Sequence, residues 1–461
     1  MLRHSLVEVC DVAVIGGGFC GAAVAAHLAH HAPAGLSLVL FEPGDAGRGA
    51  AYGTAHAEHL LNTRARMMSL FPSRPDHFVR WLGTRAQPED FVSRRLYGEY
   101  VNECVRRAFD RPGFSQVRGR VVHVTRADDT AFSVETSEGA SYAARAVVLA
   151  TGNPPPLDSF FPLEMRMHPG FISDPWRFDY RRVGGHVLVV GSGLTALDVL
   201  VALDAGGHRG KVDVVSRRGR YPEVHADVAG YDVTPALETH DARAVLHSFR
   251  EHVREAAERG FDWRAVVDAV RPEAEAIWRR VPAPEQRRFE KHVRAYWERY
   301  RHRAPQAVDA VRERYRRSGR LETHAGRVVE MRDGLVRIAR RDGSVAELRP
   351  DWIANCTGFG GAVALAKDPL LGEMLDAGLI SATPGGLGLA ADSRLAAVGA
   401  TGEPTPGLWL VGPPVRGSRF EATAVPELRS MAELVAFQVL AAYANRTQPA
   451  LVGSAIGQGQ W

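Results

Sequence analysis

The chain has 461 residues, enough for two or three domains at roughly 100–200 residues each. With 45% hydrophobic and 24% charged residues it has the balance of an ordinary folded protein, which excludes disorder, collagen-like repeats and coiled coil as the main architecture. A formal net charge of +4 is too small for a chain that coats nucleic acid or an anionic membrane.

The first predicted element is the strand Asp11-Val12-Ala13-Val14-Ile15. It runs into Gly16-Gly17-Gly18-Phe19-Cys20-Gly21, a helix-favouring stretch from Ala22 to His30, and a second strand from Leu36 to Phe41 that ends at Glu42. This is a βαβ unit with the G-x-G-x-x-G spacing and a terminal acid, the pattern of a dinucleotide site. Gly16 permits the tight turn, Gly18 lets the backbone approach a pyrophosphate, and Gly21 lets the helix pack on the strand. The helix N-terminus offers unpaired N–H groups to the phosphates, and Glu42 can accept from a ribose diol.

The loop from Arg48 to Ser69 follows the ribose-binding strand and is placed to reach the cofactor's ring system. Arg48 is therefore expected on the cofactor, with His59 and Asn62 as candidate catalytic residues. A hydrogen-bonded structural histidine is the competing reading of His59. Arg64 and Arg66 are candidates for a substrate carboxylate, against a default of solvated surface charge. Strands follow at Val121–Val124, Phe132–Glu135 and Ala146–Ala150, the last ending in Thr151-Gly152. A β-meander and then a strand ending in Ala-Thr-Gly favour FAD at this first site. Val121 is expected to present backbone to the adenine, and Thr151 and Gly152 to line the cofactor. Pro154-Pro155-Pro156 then breaks the chain as a domain crossing would.

A second unit of the same kind begins at Gly185. Its strand enters Gly191-Ser192-Gly193-Leu194-Thr195-Ala196, with alanine as the third small residue, then a helix from Leu197 to Ala205 and a strand from Val212 to Val215. Gly191, Ser192, Gly193 and Thr195 are the expected phosphate-binding positions. The second strand ends in Ser216-Arg217-Arg218 with no acid. A hydroxyl and two guanidinium groups suit a 2′-phosphate, so Arg217 and Arg218 point to NADPH.

From residue 249 to 320 the texture changes, with 19 Arg or Lys against 12 Asp or Glu and interspersed aromatics. Punctuation at Gly260, Pro272, Pro282-Ala283-Pro284 and Pro305 suggests four or so amphipathic helices. Acids interleave the bases at helical spacing, which argues against nucleic acid. A substrate lid or a contact between copies of the chain suits the aromatic content better. Strands resume at Gly326–Met331 and Leu335–Ala339, and Trp352 to Gly358 again reads as a strand ending in Thr-Gly. Leu408–Val411 is followed by a turn at Gly412, expected at the flavin, and a long apolar helix from about Val425 to Tyr443.

The expected fold class is α/β, with two nested Rossmann-type dinucleotide-binding domains and a helical insertion. The expected division is 1–158 for FAD, 183–248 for NADPH, 249–320 for the insertion, 321–347 for return strands to the NADPH domain, and 348–461 for the second part of the FAD domain. Four scattered cysteines without a C-x-x-C pair exclude a disulfide framework, a zinc ribbon and a thioredoxin-reductase-type dithiol, and no metal is expected. The absence of a signal-like segment or an 18-residue apolar run leads to the expectation of a cytoplasmic protein without a membrane partner.

Further motifs carry a resemblance. They are Gly47-Arg48-Gly49-Ala50-Ala51-Tyr52-Gly53-Thr54, His59-Leu60-Leu61-Asn62, Asp174-Pro175-Trp176, Trp297-Glu298-Arg299-Tyr300-Arg301-His302-Arg303, Val411-Gly412-Pro413-Pro414-Val415-Arg416-Gly417 and the stretch from Phe420 to Arg429. Together they resemble the FAD/NAD(P)-binding family of bacterial two-Rossmann flavoproteins, which is similar to class B flavin monooxygenases that hydroxylate amino groups. The resemblance implies FAD reduced by NADPH, O2 activated at the flavin C4a position, and a small amine or amino acid as substrate. Met167 to Trp176 does not fit the segment that marks ketone-oxygenating relatives. Two other readings stay open: an NADPH:acceptor oxidoreductase without oxygen insertion, and a flavin-holding protein without turnover.

Overall fold

The strand Glu8–Ile15 is buried from Cys10 onward, so the run Val12–Ile15 is apolar without alternation, as a parallel strand covered on both faces requires. The computed structural model that shows this describes residues 8–232 and 241–447. Glu8–Ile15 sits at the centre of an eight-stranded sheet, between Leu38–Phe41 and Ser141–Leu149, both parallel to it. Phe114–Val117 extends the sheet beyond Leu38–Phe41. Val121–Arg126 and Phe132–Thr136 form the antiparallel meander that joins Ser141–Leu149. On the other side, Pro404–Leu410 pairs parallel with Ser141–Leu149 (Leu408 opposite Val147), and Ala396–Val398 closes the edge.

The helix Phe19–His31 is apolar nearly all round, and Phe19 to Leu28 are buried. A helix of that kind needs cover on every side. The sheet provides one side, and Arg94–Ala108 and Val425–Thr447 pack against the others within one core.

The second sheet has seven strands, in the order Val345–Leu348, Leu335–Arg340, Leu321–Arg332, Val212–Ser216, Val187–Val190, Trp352–Asn355 and Phe171–Ile172. The five from Leu321–Arg332 to Phe171–Ile172 are parallel. All its strands fall between Ser141–Leu149 and Ala396–Val398 of the first sheet, so one dinucleotide fold is nested in the other. Trp352–Asn355 pairs with Val187–Val190, so the chain leaves the second sheet beyond Asn355 and not at residue 348.

The described part of the helical segment holds six helices where the punctuation suggested four or so. They are Ala242–Glu258, Trp263–Val270, Ala274–Arg280, Ala283–His292, Arg294–Arg301 and Gln306–Arg317. Asp241 and Asp262 cap the first two, each accepting a backbone N–H two residues on. Gln306–Arg317 puts Val308, Val311 and Tyr315 into one core with Leu197 and Leu200, then leads into Leu321–Arg332. It acts as the crossover of the second dinucleotide unit. Among the described residues no helix is long and apolar enough to cross a membrane.

Candidate functional site

At the first glycine turn, Gly16 has φ +96°, and a Cβ there would lie 2.5 Å from the Ala150 carbonyl oxygen. A Cβ on Gly21 would overlap the Gly16 carbonyl oxygen, so both positions require glycine. Glu42 closes the turn, its Oε2 accepting from Gly17 N at 2.8 Å and its Oε1 from Gly44 N at 3.1 Å. Gly47 N donates to Gly17 O at 2.6 Å, which sets the loop carrying Arg48 against the turn.

The helix that follows starts at the Gly18 N-cap with no side-chain cap, leaving its first N–H groups for phosphate oxygens. Arg48 Nε and Thr151 Oγ1 are buried without a partner. Gly152, at φ +71°, has nothing within 4 Å of a would-be Cβ, and Gly412, at φ +99°, packs its turn on Cys20. Bare donors, an uncapped helix and open backbone fit a dinucleotide at this place. Val121, at the start of the meander opposite Thr136, is buried.

The second turn repeats the plan with alanine as the third small residue. Gly191 has φ +115°, and a Cβ there would overlap the Cys356 carbonyl oxygen. Gly193, the uncapped N-cap of Leu194–Ala205, faces open space. Ser192 Oγ lies 2.7 Å from both Ser216 Oγ and the Arg220 carbonyl, tying the glycine turn to the end of the next strand. Arg217 is exposed, and Arg218 lies over the Tyr296 ring at 4.9 Å. Thr195 is half-buried in the first helical turn.

The structure places His59 in a buried joint between the two units. Its Nε2 donates to the Asp198 carbonyl at 3.1 Å, which leaves Nδ1 to accept from the Thr54 hydroxyl at 2.9 Å. Burial pushes its pKa down to about 3. The carbonyl of Asn62 accepts from His225 Nε2 at 3.0 Å, and burial holds His225 near 4. In the same joint the Asp198 carboxylate meets Arg94 at 2.9 Å and Trp176 Nε1 at 3.2 Å. Burial raises the pKa of Asp198 while Arg94 opposes the rise. Arg64 pairs with Asp227 and Glu89, and Arg66 with Glu89 at 2.7 Å, so both already have carboxylate partners.

Sequence reasoning missed Arg94, Asp198 and Trp176, which are separated along the chain and meet only in the fold. The motif Asp174-Pro175-Trp176 was the available signal.

All four cysteines are free and buried, with burial pushing Cys10, Cys20 and Cys104 up to about 12. A further polar cluster braces the start of the second sheet. The carboxylate of Asp213 contacts His186 and His324 at 2.5 Å each and Lys211 at 3.3 Å.

Residues 13–154 match the FAD-NAD(P)-binding family model. No curated protein matches the chain in sequence. Among solved structures, ornithine hydroxylase from Pseudomonas aeruginosa is similar in fold, at 14% identity and TM-score 0.63, covering 94% of this chain and 99% of that one. Ornithine N-hydroxylase from Kutzneria sp. 744 matches at 17% identity and TM-score 0.60, over 95% and 100% of the two chains. Bacillithiol disulfide reductase from Bacillus cereus matches at 16% identity and TM-score 0.56, over 94% and 100%. Residues 13–154 thus match an FAD-NAD(P)-binding domain, and the chain as a whole is similar in fold to the two ornithine hydroxylases and the disulfide reductase.

Proposed function

We propose that the protein is an NADPH-dependent flavin monooxygenase that hydroxylates the amino group of a small amino-acid-like substrate, with O2 as co-substrate. FAD belongs at the turn of Gly16, Gly18, Gly21 and Glu42, with Arg48, Val121, Thr151, Gly152 and Gly412 around it. NADPH belongs at Gly191, Ser192, Gly193 and Thr195, its 2′-phosphate on Arg217 and Arg218. In this division 8–158 and the chain beyond Asn355 hold FAD, and 183–355, interrupted by the helical segment, holds NADPH.

The observation that carries the reading is the pairing of two glycine turns that lead into uncapped helices with buried, high-pKa thiols. Such thiols are poor nucleophiles, which weighs against disulfide reduction. FAD and NADPH, held at these two turns, would supply the hydride transfer and the oxygen chemistry. The protein's own part is to fix the two cofactors relative to each other. His59, Asp198, Arg94 and Trp176 do this from the joint, so His59 acts as a positioning residue and Asn62 through its backbone.

Transfer of electrons to another acceptor is the second reading, favoured by the fold shared with a disulfide reductase. Anaerobic reduction of FAD-loaded protein by NADPH, followed by admission of O2 in a stopped-flow instrument, separates the two. A long-lived transient near roughly 370–390 nm supports the monooxygenase. Direct return to oxidised flavin with hydrogen peroxide, unchanged across a screen of amines, favours the acceptor reductase. Failure of NADPH to reduce the flavin leaves a non-catalytic flavin carrier.

A further inference from the structure

The helical segment meets the loop after Gly412 around a cluster of charges, with Arg301 and Glu421 buried and the others half-buried, that neither dinucleotide turn uses. Arg294, Trp297, Glu298 and His302 face Arg416, Phe420 and Glu421 across a void of about 10 Å³, room for about one water-sized group. The carboxylates there are taken. Glu298 accepts from Arg294 Nε at 3.2 Å and pairs with His302 Nε2 at 2.9 Å, and Glu421 accepts from Trp297 Nε1 and Arg301 Nε, each at 3.1 Å.

Arg416 has no counterpart. Its side chain makes no hydrogen bond or ion pair among the described residues, and its Nε is buried and bare. Burial holds its pKa down to about 10. One guanidinium nitrogen of Arg301 is also buried without a partner. Glu298 and Glu421 lie near Arg416 but are each bonded to other groups, so its guanidinium is left without a hydrogen-bonded anion, a costly state for a buried cation until one joins it.

The cluster also touches both cofactor regions. Arg416 lies four residues beyond Gly412, whose turn packs on the first dinucleotide helix. Tyr296, on the helix that bears Arg294 and Trp297, contacts Arg218 at the second site. The forked guanidinium matches a carboxylate, and so small a void admits one carboxylate oxygen before it admits a phosphate.

We propose that Arg416 is the anchor for the carboxylate of the substrate. Read with the hydroxylase function on which it rests, this makes the substrate an amino carboxylate and not a simple amine. Leu387 and Phe420, which line the void, move aside to admit the rest of the molecule.

The test titrates FAD-loaded, NADP⁺-saturated protein with a panel of amino acids, each beside the amine that lacks its carboxylate, and with inorganic phosphate. The readouts are flavin absorbance and tryptophan fluorescence, since Trp278 and Trp297 both contact Phe420. At least one amino acid is expected to bind tenfold or more tighter than its amine. Arg416→Gln should remove that preference, and Arg416→Lys, with FAD content and melting temperature as fold controls, should keep part of it. Equal binding of every amino acid and its amine, an undiminished preference in Arg416→Gln, or phosphate binding as tightly as the best amino acid overturns the proposal. Preference without hydroxylation of any amine upholds the anchor and sinks the hydroxylase. Hydroxylation without preference does the reverse.

Discussion

At the first glycine turn, methyl groups at Gly16 and Gly21 have nowhere to go, and the Glu42 carboxylate is held by two backbone N–H groups. At the second, the third glycine is Ala196, Gly193 faces open space, and the strand ends in arginines, one exposed and one resting on Tyr296. The first glycine is equally crowded in both turns, Gly16 against Ala150 and Gly191 against Cys356. The two therefore differ at the third small residue and at the strand end, where one has a carboxylate held by backbone and the other has arginine side chains. A cradle fixed by its own backbone suits a cofactor that stays. One closed by exposed side chains suits a cofactor that comes and goes.

Substitutions at the turns break that contrast most sharply. Gly21→Ala should yield protein without flavin, or no folded protein, because the methyl collides with backbone that cannot yield. Absorbance of bound flavin checks this. Next in size is the joint between the units. Arg94→Met leaves the buried Asp198 carboxylate without its cation, a loss of about 3–5 kcal/mol measurable by denaturant unfolding.

The pH dependence of the same joint follows from His59. Its folded pKa, about 3, lies below the unfolded value of about 6.5, so the native state binds fewer protons and stability falls as pH drops below 6.5. By pH 5 the loss is about 2 kcal/mol, and melting curves of wild type and His59→Gln from pH 7 to 5 should converge.

Smaller again, Arg217→Ala and Arg218→Ala should each weaken NADPH by about tenfold while leaving NADH nearly unchanged, read as the ratio of kcat/KM for the two. Smallest is Gly193→Ala. With open space and an ordinary φ of −80°, it should change stability by less than about 0.5 kcal/mol, in contrast with Gly21→Ala.

What the sequence made legible was local. Gly16 to Glu42 and Gly191 to Arg218 each encode turn, helix and following strand within about thirty residues, so their spacing alone reveals them. The joint could not be read in this way. His59, Arg94, Trp176 and Asp198 come from four separate stretches, and nothing in the neighbourhood of any one names the others. Trp352–Asn355 misled because a strand ending in Thr-Gly occurs in both sheets, and only its pairing with Val187–Val190 assigns it to the second. Helix count failed for a related reason. Val293 separates Ala283–His292 from Arg294–Arg301 with neither glycine nor proline to mark the break.

Nesting one unit in the other also sets the order in which the chain can be completed during synthesis. Ser141–Leu149 emerges early but finds its outer parallel neighbour, Pro404–Leu410, only after more than 250 further residues have been made. Until then its hydrogen-bonding edge stands open beside an apolar core, the kind of surface that invites pairing with another nascent chain. In the inserted unit the wait is shorter, since Val187–Val190 gains Trp352–Asn355 after about 160 residues and no strand of the other sheet intervenes. Truncation before residue 404 should therefore leave a soluble inner unit attached to an aggregating outer one.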